Sequence, residues 1–237
     1  MDLSKYDGKY VRAWDVYGGD YTGVADYRGS EYCLHEYGVD EDAVIIEDVL
    51  IYASQIASIE ETAAHGSAEL RTPRLILRAY RPEDAEELYR SLGTDPSAYE
   101  FSGWNPYADP ETARRTVTGF IESREDGTYS WVMDVEGAVA GTVGAYDRED
   151  DRIEIGFSVV KSWRGRGLAT EAVKRVLEHL TENEGFTRVD AWCASENHGS
   201  RRVLEKAGMR LVNTEKDGLE VGGRVYDKLT YQYVKTR

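Results

Sequence analysis

The chain has 237 residues, which is enough for one large domain or two modest ones. Its formal net charge is −15, yet 41% of its residues are hydrophobic, so the composition excludes a disordered chain. No apolar run approaches the length of a membrane span, and the first residues, MDLSKYDGKY, have no signal-peptide core. These features predict a soluble, cytoplasmic protein with no membrane partner.

The basic residues are strongly biased toward arginine. Of the 29 basic residues, 21 are arginine and 8 are lysine. An acidic, lysine-poor surface suits a cytoplasm of very high salt, where ions screen the repulsion between carboxylates. Halophilic origin is therefore our hypothesis, and an ordinary acidic protein is the alternative. Cys33 and Cys193 make no disulfide framework, so we expect buried thiols in a reduced compartment.

Residues 1–66 differ in composition from the rest of the chain. They hold 14 acidic residues, 4 basic residues and eight of the 17 tyrosines. Short β-like runs separated by turn signals occur at residues 10–14, 21–27, 43–47, 50–53 and 56–59, which predicts a small antiparallel barrel. The stretches DGKYVRAW, GGDYTGVADY and AVIIEDVLIYASQIASIE resemble an Sm-like or SH3-like barrel.

The charge of this segment bears on its partners. Sm-like barrels often bind RNA, but few cations are available here to neutralise phosphates, which argues against nucleic acid. A protein-interaction, dimerisation or lid role is expected instead, and a homodimer stays open. Residues 63–67 are small and polar and predict a linker. We therefore predict a small β-domain at residues 1–66 and a second domain at residues 67–237.

Residues 67–237 mix strand-like and helix-like patterns, which predicts an α+β fold. Strands are predicted at residues 75–78, 131–135, 138–146, 153–160, 189–193, 211–214 and 225–233. Helices are predicted at residues 82–92, 112–121, 168–180 and 196–207. The residues between the first two helices, 94–109, predict a loop in which Trp104 packs against other side chains.

The segment from Ile153 to Leu180 reads IEIGFSVVKSWRGRGLATEAVKRVLEHL. Its apolar residues alternate up to Val160 and then follow a helical stripe from Leu168, with Arg164-Gly165-Arg166-Gly167 between the two patterns. A glycine turn at a helix start presents unpaired N–H groups and the positive end of the helix dipole, so it can bind a phosphate. The alternative is an ordinary strand–helix turn with solvated arginines.

Three stretches in the expected order resemble one known family. They are LRTPRLILRAYRPEDAEELY, the turn Arg164-Gly165-Arg166-Gly167-Leu168-Ala169, and ENHGSRRVLEKAGMRL. The turn matches the acyl-CoA signature Gln/Arg-x-x-Gly-x-Gly/Ala. Residues from about 69 to 237 thus resemble a GCN5-related N-acetyltransferase (GNAT) of the kind that modifies ribosomal-protein N-termini. The resemblance implies a mixed, mostly antiparallel central sheet flanked by helices.

The resemblance also implies roles for particular residues. Acetyl-CoA would be held by Val159, Val160, Arg164, Gly165, Arg166, Gly167, Leu168, Ala169, Thr170 and Asn197. Glu154 would be the general base, directly or through water, and Ser200 would assist the leaving thiolate. On the residues alone, the alternative is that Glu154 is a solvent-facing polar residue of its strand. Asn197 could equally be a helix N-cap.

The implied activity is transfer of an acetyl group from acetyl-CoA to a primary amine, with a protein N-terminal α-amine favoured. The amine would attack directly in a ternary complex. A small-molecule amine acetyltransferase and a non-catalytic acyl-CoA-binding module are the alternatives. Cys193 shows no nucleophile pattern. His179 and His198 have no metal-like spacing, so we assign no metal and expect His179 on a helix surface.

Overall fold

The computed structural model describes residues 1–46, 49–61, 68–122 and 128–235. The chain divides into two compact units, Met1–Ala64 and His65–Arg237. The predicted linker at residues 63–67 and the predicted strand end at Glu47 lie outside the described residues. Within the part that is described, no helix is both long and apolar enough to cross a membrane.

In its described residues the first unit is a five-stranded antiparallel structure with one α-helix. Its elements are β1 (Tyr10–Asp15), β2 (Asp20–Arg28), α1 (Ser30–Tyr37), β3 (Ala43–Ile46), β4 (Val49–Tyr52) and β5 (Ile56–Glu61), with the strands in the order β4-β3-β2-β1-β5. Leu3, Val11, Val44 and Ile46 are in its core. The five predicted β-like runs are confirmed as strands, whereas the likeness to an Sm-like or SH3-like barrel stays a prediction.

The second unit contains an eight-stranded sheet with helices on both faces. Its elements are β6 (Leu70–Arg71), β7 (Ile76–Arg78), α2 (Asp84–Leu88), α3 (Pro110–Glu122), β8 (Tyr129–Val135), β9 (Ala138–Glu149), β10 (Arg152–Val159), α4 (Leu168–Glu182), β11 (Arg188–Ala194), α5 (His198–Ala207), β12 (Arg210–Val221) and β13 (Arg224–Val234). The strand order is β12-β13-β11-β10-β9-β8-β7-β6. Among the described pairs, β10 and β11 are parallel and the others are antiparallel. The predicted mixed, mostly antiparallel α+β fold is confirmed.

Each face of this sheet has its own core. The face covered by α4 and α5, here called the α4 face, includes Ile153 and Ile155 together with the apolar stripe of α4. The opposite face, here called the α2 face, is covered by α2 and α3. Because side chains alternate along a strand, Glu154 and Gly156 lie on the α2 face. The helical stripe predicted from Leu168 to Leu180 is confirmed by its burial.

The first helix of this unit departs from the prediction. α2 ends at Leu88, and a wider, π-helical turn continues the chain from Tyr89 to Gly93. A buried ion network fastens α2 to the sheet, since Arg78 of β7 donates to both oxygens of Asp84 at 2.8 Å and to Asp134 of β8 at 2.8 Å. The position of α2, and with it the α2 face, therefore depends on a paired buried charge.

Candidate active site

β10 and β11 are paired for only the first part of their length. The parallel pairing runs from Arg152 opposite Arg188 to Glu154 opposite Asp190. Both strands continue beyond this point, β10 as far as Val159, with no further position paired between them in the described residues. The strands therefore part after Glu154 and leave a slot in the sheet, open to a ligand whose amides can bond free strand backbone.

The turn that joins β10 to α4 is exposed. Gly165 and Gly167 have φ angles of +76° and +81°, a region that glycine enters without the strain other residues incur. The first helical hydrogen bond runs from Glu171 N to Gly167 O at 3.1 Å. The N–H groups of residues 168–170 precede that bond, so they point out of the helix start and can bind an anion.

Glu154 lies at the point where the two strands part, half-buried on the α2 face. Burial raises the pKa of its carboxyl above the usual range, although a hydrogen bond from Trp192 opposes the rise. Glu154 makes no salt bridge with any residue that the structure describes. A carboxylate in this state can accept a proton more readily than an exposed one.

The neighbouring carboxylate is in a different state. Asp190 is buried opposite Glu154, and it accepts hydrogen bonds from Arg152 Nε at 2.6 Å and from Gln232 Nε2 at 2.9 Å. The Arg152 guanidinium offsets the charge of Asp190, and the Gln232 amide hydrogen-bonds its second oxygen. Of the two carboxylates in register, Glu154 is thus the one with a free capacity for proton transfer.

The start of α5 supplies two more polar side chains. Asn197 Oδ1 accepts a hydrogen bond from Ser200 N at 3.0 Å, so Asn197 is the N-cap of α5. Both residues are half-buried. Asn197 Nδ2 and the Ser200 hydroxyl have no hydrogen-bond partner in the described part of the chain and can interact with a ligand.

A known sequence family covers the part of the chain that forms this arrangement. Residues 74–210, more than half of the chain, match the acetyltransferase (GNAT) domain. The match spans the slot, the exposed turn and the start of α5. The chain belongs to the GNAT acetyltransferase family.

Curated relatives align with this chain over nearly their whole length. The chain is 26% identical over 171 residues to p20, an uncharacterised N-acetyltransferase of Bacillus licheniformis, covering 70% of this chain and 96% of p20. It is also 26% identical over 173 residues to the uncharacterised N-acetyltransferase YoaA of Bacillus subtilis, covering 71% and 97%. These relatives are therefore matched over nearly their whole length, and the chain is an acyltransferase.

Solved structures agree on the fold. RimL, a ribosomal L7/L12 α-N-protein acetyltransferase in complex with coenzyme A, superposes with a TM-score of 0.65 at 18% identity, covering 70% of this chain and 98% of RimL. Mycobacterium smegmatis RimJ superposes with a TM-score of 0.62 at 26% identity, covering 70% and 86%. The resemblance drawn from sequence is confirmed at the level of fold and family.

Arg164 of the GNAT signature points away from the turn. Its Nε donates to Val159 O at 2.9 Å, Nη1 to Ser97 Oγ at 2.7 Å and Nη2 to Asp95 at 3.0 Å. Burial acts to raise the pKa of Asp95, but hydrogen bonds from Ser97 and the charge of Arg164 hold it below the usual range. Arg164 thus fastens the end of β10 to the loop before α3, and its charge is already paired.

Arg166 is oriented differently from Arg164. Its guanidinium lies over the ring of Trp163, 4.7 Å from the centroid, and it is exposed. The cation–π contact leaves the N–H donors at the edge of the guanidinium plane available. Of the two arginines predicted to meet phosphates, Arg166 is the one whose donors remain free for that role.

The sequence reasoning missed a clamp that holds the turn in place. Glu171 of α4 accepts hydrogen bonds from Thr72 Oγ1 at 2.6 Å and from Arg74 Nε at 2.7 Å, and Arg74 Nη1 also donates to Arg166 O at 2.8 Å. Thr72 and Arg74 lie in the quoted stretch LRTPRLILR, so the family resemblance marked the segment without its purpose. The clamp fixes the helix start relative to β6 and β7.

Backbone groups of two other residues predicted to hold the cofactor have partners within the protein. Val160 N donates to Ala140 O at 2.9 Å and Val160 O accepts from Trp163 N at 2.8 Å, so its N–H is not free for a ligand. Val159 O accepts from Arg164, as described above. Leu168 and Ala169 are buried, so they can contribute N–H groups and not side chains.

Three single-residue expectations have definite outcomes. His179 is buried, 3.2 Å from Glu184 and edge-on to Trp131, so its predicted surface position is wrong. Trp104 is 65% exposed, so its predicted packing is wrong too. Cys193 is buried as expected, and burial raises the pKa of its thiol to about 11, which keeps it protonated at neutral pH. The described residues contain no cluster suited to a metal ion.

Proposed function

We propose that this protein transfers the acetyl group of acetyl-CoA to a primary amine, with a protein N-terminal α-amine as the favoured acceptor. The observation that carries the proposal is Glu154, a half-buried carboxylate with a raised pKa at the parting of β10 and β11. It lies on the strand that leads to a turn suited to phosphates. The candidate proton acceptor and the candidate cofactor site thus lie on one continuous segment of the chain.

The chemistry required of the chain is modest. A primary ammonium must lose a proton before its nitrogen can attack a thioester, and an α-amino group has a pKa of about 8. Glu154 takes that proton, directly or through water. The nitrogen then forms a bond to the acetyl carbon, the carbon–sulfur bond breaks, and the thiolate leaves with a hydrogen bond from Ser200. The nitrogen is cationic once it is bonded to the acetyl carbon, so it releases a second proton, and the thiolate takes that proton to become the thiol of free CoA. No covalent intermediate on the protein is needed.

Acetyl-CoA fits the groups that the chain presents. The pyrophosphate would be held by the N–H groups of residues 165–170, with Arg166 adding a cation. The pantetheine amides would lie in the slot beyond Glu154 and meet Val159 and the free Asn197 amide. Arg164 and the clamp around Glu171 would position the turn rather than touch the ligand.

The acceptor class rests on two kinds of neighbour. RimL is named as an α-N-protein acetyltransferase, and RimJ shares its fold with this chain at 26% identity. MccE, a microcin C7 self-immunity acetyltransferase solved with acetyl-CoA and AMP, has the same fold with a TM-score of 0.63. RimL favours a peptide α-amine, RimJ adds agreement in fold, and MccE keeps a small-molecule amine as the rival acceptor.

A thiol-release assay tests the proposal. Purified protein is incubated with acetyl-CoA and a panel of peptides with free N-termini, N-acetylated copies of the same peptides, polyamines and aminoglycosides. Free CoA is expected with the unblocked peptides and not with their blocked copies. Release with polyamines or aminoglycosides alone would overturn the α-amine preference. Binding of acetyl-CoA without release on any amine would instead favour a non-catalytic binding module.

A further inference from the structure

Tyr146 faces the candidate base Glu154 and was not selected from the sequence. It lies on β9 directly opposite Glu154 of β10, and both side chains project from the α2 face. Tyr146 is 38% exposed, so part of the residue is open to solvent. The phenol is therefore close to the candidate base and accessible to a ligand.

Two facing glycines make room for this ring. Gly144 of β9 and Gly156 of β10 are paired in register, next to the pair formed by Tyr146 and Glu154. The Tyr146 hydroxyl occupies the place that a Cβ at position 156 would need, and Tyr146 Cζ would lie 3.3 Å from that Cβ. No positive φ is involved at Gly156, so the glycine is required by space and not by backbone conformation. The phenol thus lies across β10 on a strip of bare backbone.

The protonation state of the Tyr146 hydroxyl suits it to hydrogen bonding. Burial, followed by the charges of Glu154 and Asp147, raises the pKa of Tyr146 to about 12. The hydroxyl is neutral at physiological pH and is a poor proton donor to a thiolate. Its oxygen can accept a hydrogen bond from an amine.

The other groups around Glu154 leave to Tyr146 the role of accepting a hydrogen bond from the amine. Trp192 donates its N–H to Glu154, and Lys228 lies over the Trp192 ring at 5.0 Å. Each oxygen of Asp190 already accepts a hydrogen bond, one from Arg152 and the other from Gln232. On the β9 side of Glu154, Tyr146 is the residue that stands in register with it.

We infer that Tyr146 orients the acceptor and selects primary over secondary amines by accepting one N–H of the attacking nitrogen. The inference rests on the proposed acetyl transfer. Once Glu154 has taken a proton, a primary amine still has two N–H bonds and one lone pair. One N–H bonds to the Tyr146 oxygen, which turns the lone pair toward the slot. An N-methyl amine has a single N–H, and its proton is the one that must leave after the attack. In the productive orientation that N–H points to the departing thiolate, so the methyl group takes the place of the N–H that would bond to Tyr146 and lies against the ring.

The test compares each accepted amine with its N-methyl counterpart. The wild-type protein is expected to prefer the primary amine at least about 10-fold in kcat/KM, a ratio worth one hydrogen bond to a buried polar group. Tyr146→Phe keeps the ring and removes the oxygen. It should lower kcat/KM about 10-fold for the primary amine, change the N-methyl amine less than twofold, and leave the Kd of acetyl-CoA unchanged.

A second variant checks the mechanism without touching Tyr146. Gly156→Ala inserts a Cβ where the hydroxyl lies, so it should displace the phenol and reduce the preference as Tyr146→Phe does. In a Tyr146→Ala background the same Gly156→Ala change should have no further effect, because no phenol is left to displace. Matched controls are Tyr17→Phe, at an 80% exposed tyrosine, and Gly119→Ala, where a Cβ meets nothing within 4 Å.

The outcomes separate the two claims. If the wild-type protein acetylates amines and Tyr146→Phe retains the wild-type preference, the Tyr146 inference is wrong and the proposed function stands. If the wild-type protein binds acetyl-CoA and releases no CoA with any amine, the proposed function fails and the inference fails with it. Melting curves of both variants should match those of their controls, so that a folding defect is recognised as such.

Discussion

Glu154 and Asp190 are neighbours across two strands, but their surroundings give them different chemistry. Asp190 is bound by a guanidinium and an amide, so protonating it would break two good interactions. Glu154 has an indole N–H as its hydrogen-bond partner and is partly desolvated, which disfavours its charged form. Proton transfer during turnover therefore costs least at Glu154.

Replacing Glu154 by glutamine should remove the base and leave the cofactor site intact. A general base typically contributes about 10²- to 10⁴-fold, so kcat should fall by about 100-fold or more. The Kd of acetyl-CoA, measured by titration calorimetry, should change less than twofold, because the turn and the slot are untouched. Stability should not fall, since the variant no longer buries a carboxylate whose folded-state pKa is raised.

The pH dependence gives this prediction a sharper form. Glu154 acts when it is deprotonated, so wild-type kcat should fall as the pH drops through its raised pKa, above the usual carboxyl range of about 4.3. That acid limb should vanish in Glu154→Gln. Asp190→Asn is the matched control, because it should lower the melting temperature and keep the acid limb. An unchanged limb in Glu154→Gln would assign the titration to another group.

Arg164 and Asp95 are predicted to act as one unit on cofactor binding. Arg164→Ala frees the turn from the loop before α3, and Asp95→Asn removes one of the three anchors of the same guanidinium. Each change should raise the Kd of acetyl-CoA, by about 10-fold for Arg164→Ala and less for Asp95→Asn. The double variant should be no weaker than Arg164→Ala alone, as expected for coupled residues.

Titration calorimetry of the wild-type protein, Arg164→Ala, Asp95→Asn and the double variant shows whether the two residues act as one unit. Fully additive losses would mean that Arg164 contacts the phosphates directly and that Asp95 acts elsewhere. Arg166→Ala provides the comparison within the same turn, because Arg166 has no carboxylate partner in the described part of the chain and stacks on Trp163. The loss of acetyl-CoA affinity in Arg166→Ala should depend on ionic strength more than the loss in Arg164→Ala does.

At the level of elements, α2 is held by charge as well as by packing. Arg78, Asp84 and Asp134 are all buried, and removing one partner leaves an uncompensated charge in the interior. Asp84→Asn should therefore lower the free energy of unfolding by about 3 kcal/mol. Urea titration measures this loss.

The same helix offers a control for that prediction. Glu86 pairs with Arg90 at 3.0 Å, but both side chains are more than 60% exposed. Glu86→Gln should cost less than about 1 kcal/mol, because solvent screens the pair. Equal losses for Glu86→Gln and Asp84→Asn would show that α2 is held by packing alone.

The elements of the second unit follow from the sequence because each carries a periodic signal. The stripe of α4 and the alternation around Ile153 and Ile155 could be seen directly, and they are buried as predicted. Two elements, β6 and α1, were not predicted from the sequence, each for a different reason. β6 has two residues, too few for a period, and α1 buries Cys33 alone, so it has no apolar stripe.

The parts of the candidate site that lie close together in the sequence could be predicted, and the contacts between distant positions were missed. The turn and Glu154 lie on one continuous segment, so a single window contains them. The clamp joins Arg74 to Glu171, 97 positions apart, and Tyr146 meets Gly156 across two strands. Such contacts depend on strand register, which periodicity does not fix. The partners of Arg164 were missed for the same reason, because Asp95 lies in a loop without a pattern.

At the scale of the whole molecule, negative charge is concentrated in the first residues. Residues 1–66 carry a net −10 of the total −15. The first unit has its own small core, so its apolar burial must offset this repulsion locally. The unit with the smaller core thus carries the greater charge per residue.

Salt should therefore stabilise the protein, and the first unit most of all. The Debye length falls from about 10 Å at 0.1 M to about 3 Å at 1 M, which screens most carboxylate pairs. We expect the melting temperature to rise by about 5–10 °C between 0.1 and 3 M KCl, equivalent to one or two kcal/mol. In scanning calorimetry the transition of the first unit should move further than that of the second. Sucrose at matched osmolality separates screening from solute exclusion, because it stabilises without ions. A melting temperature that ignores KCl would refute the halophilic hypothesis and leave an ordinary acidic protein.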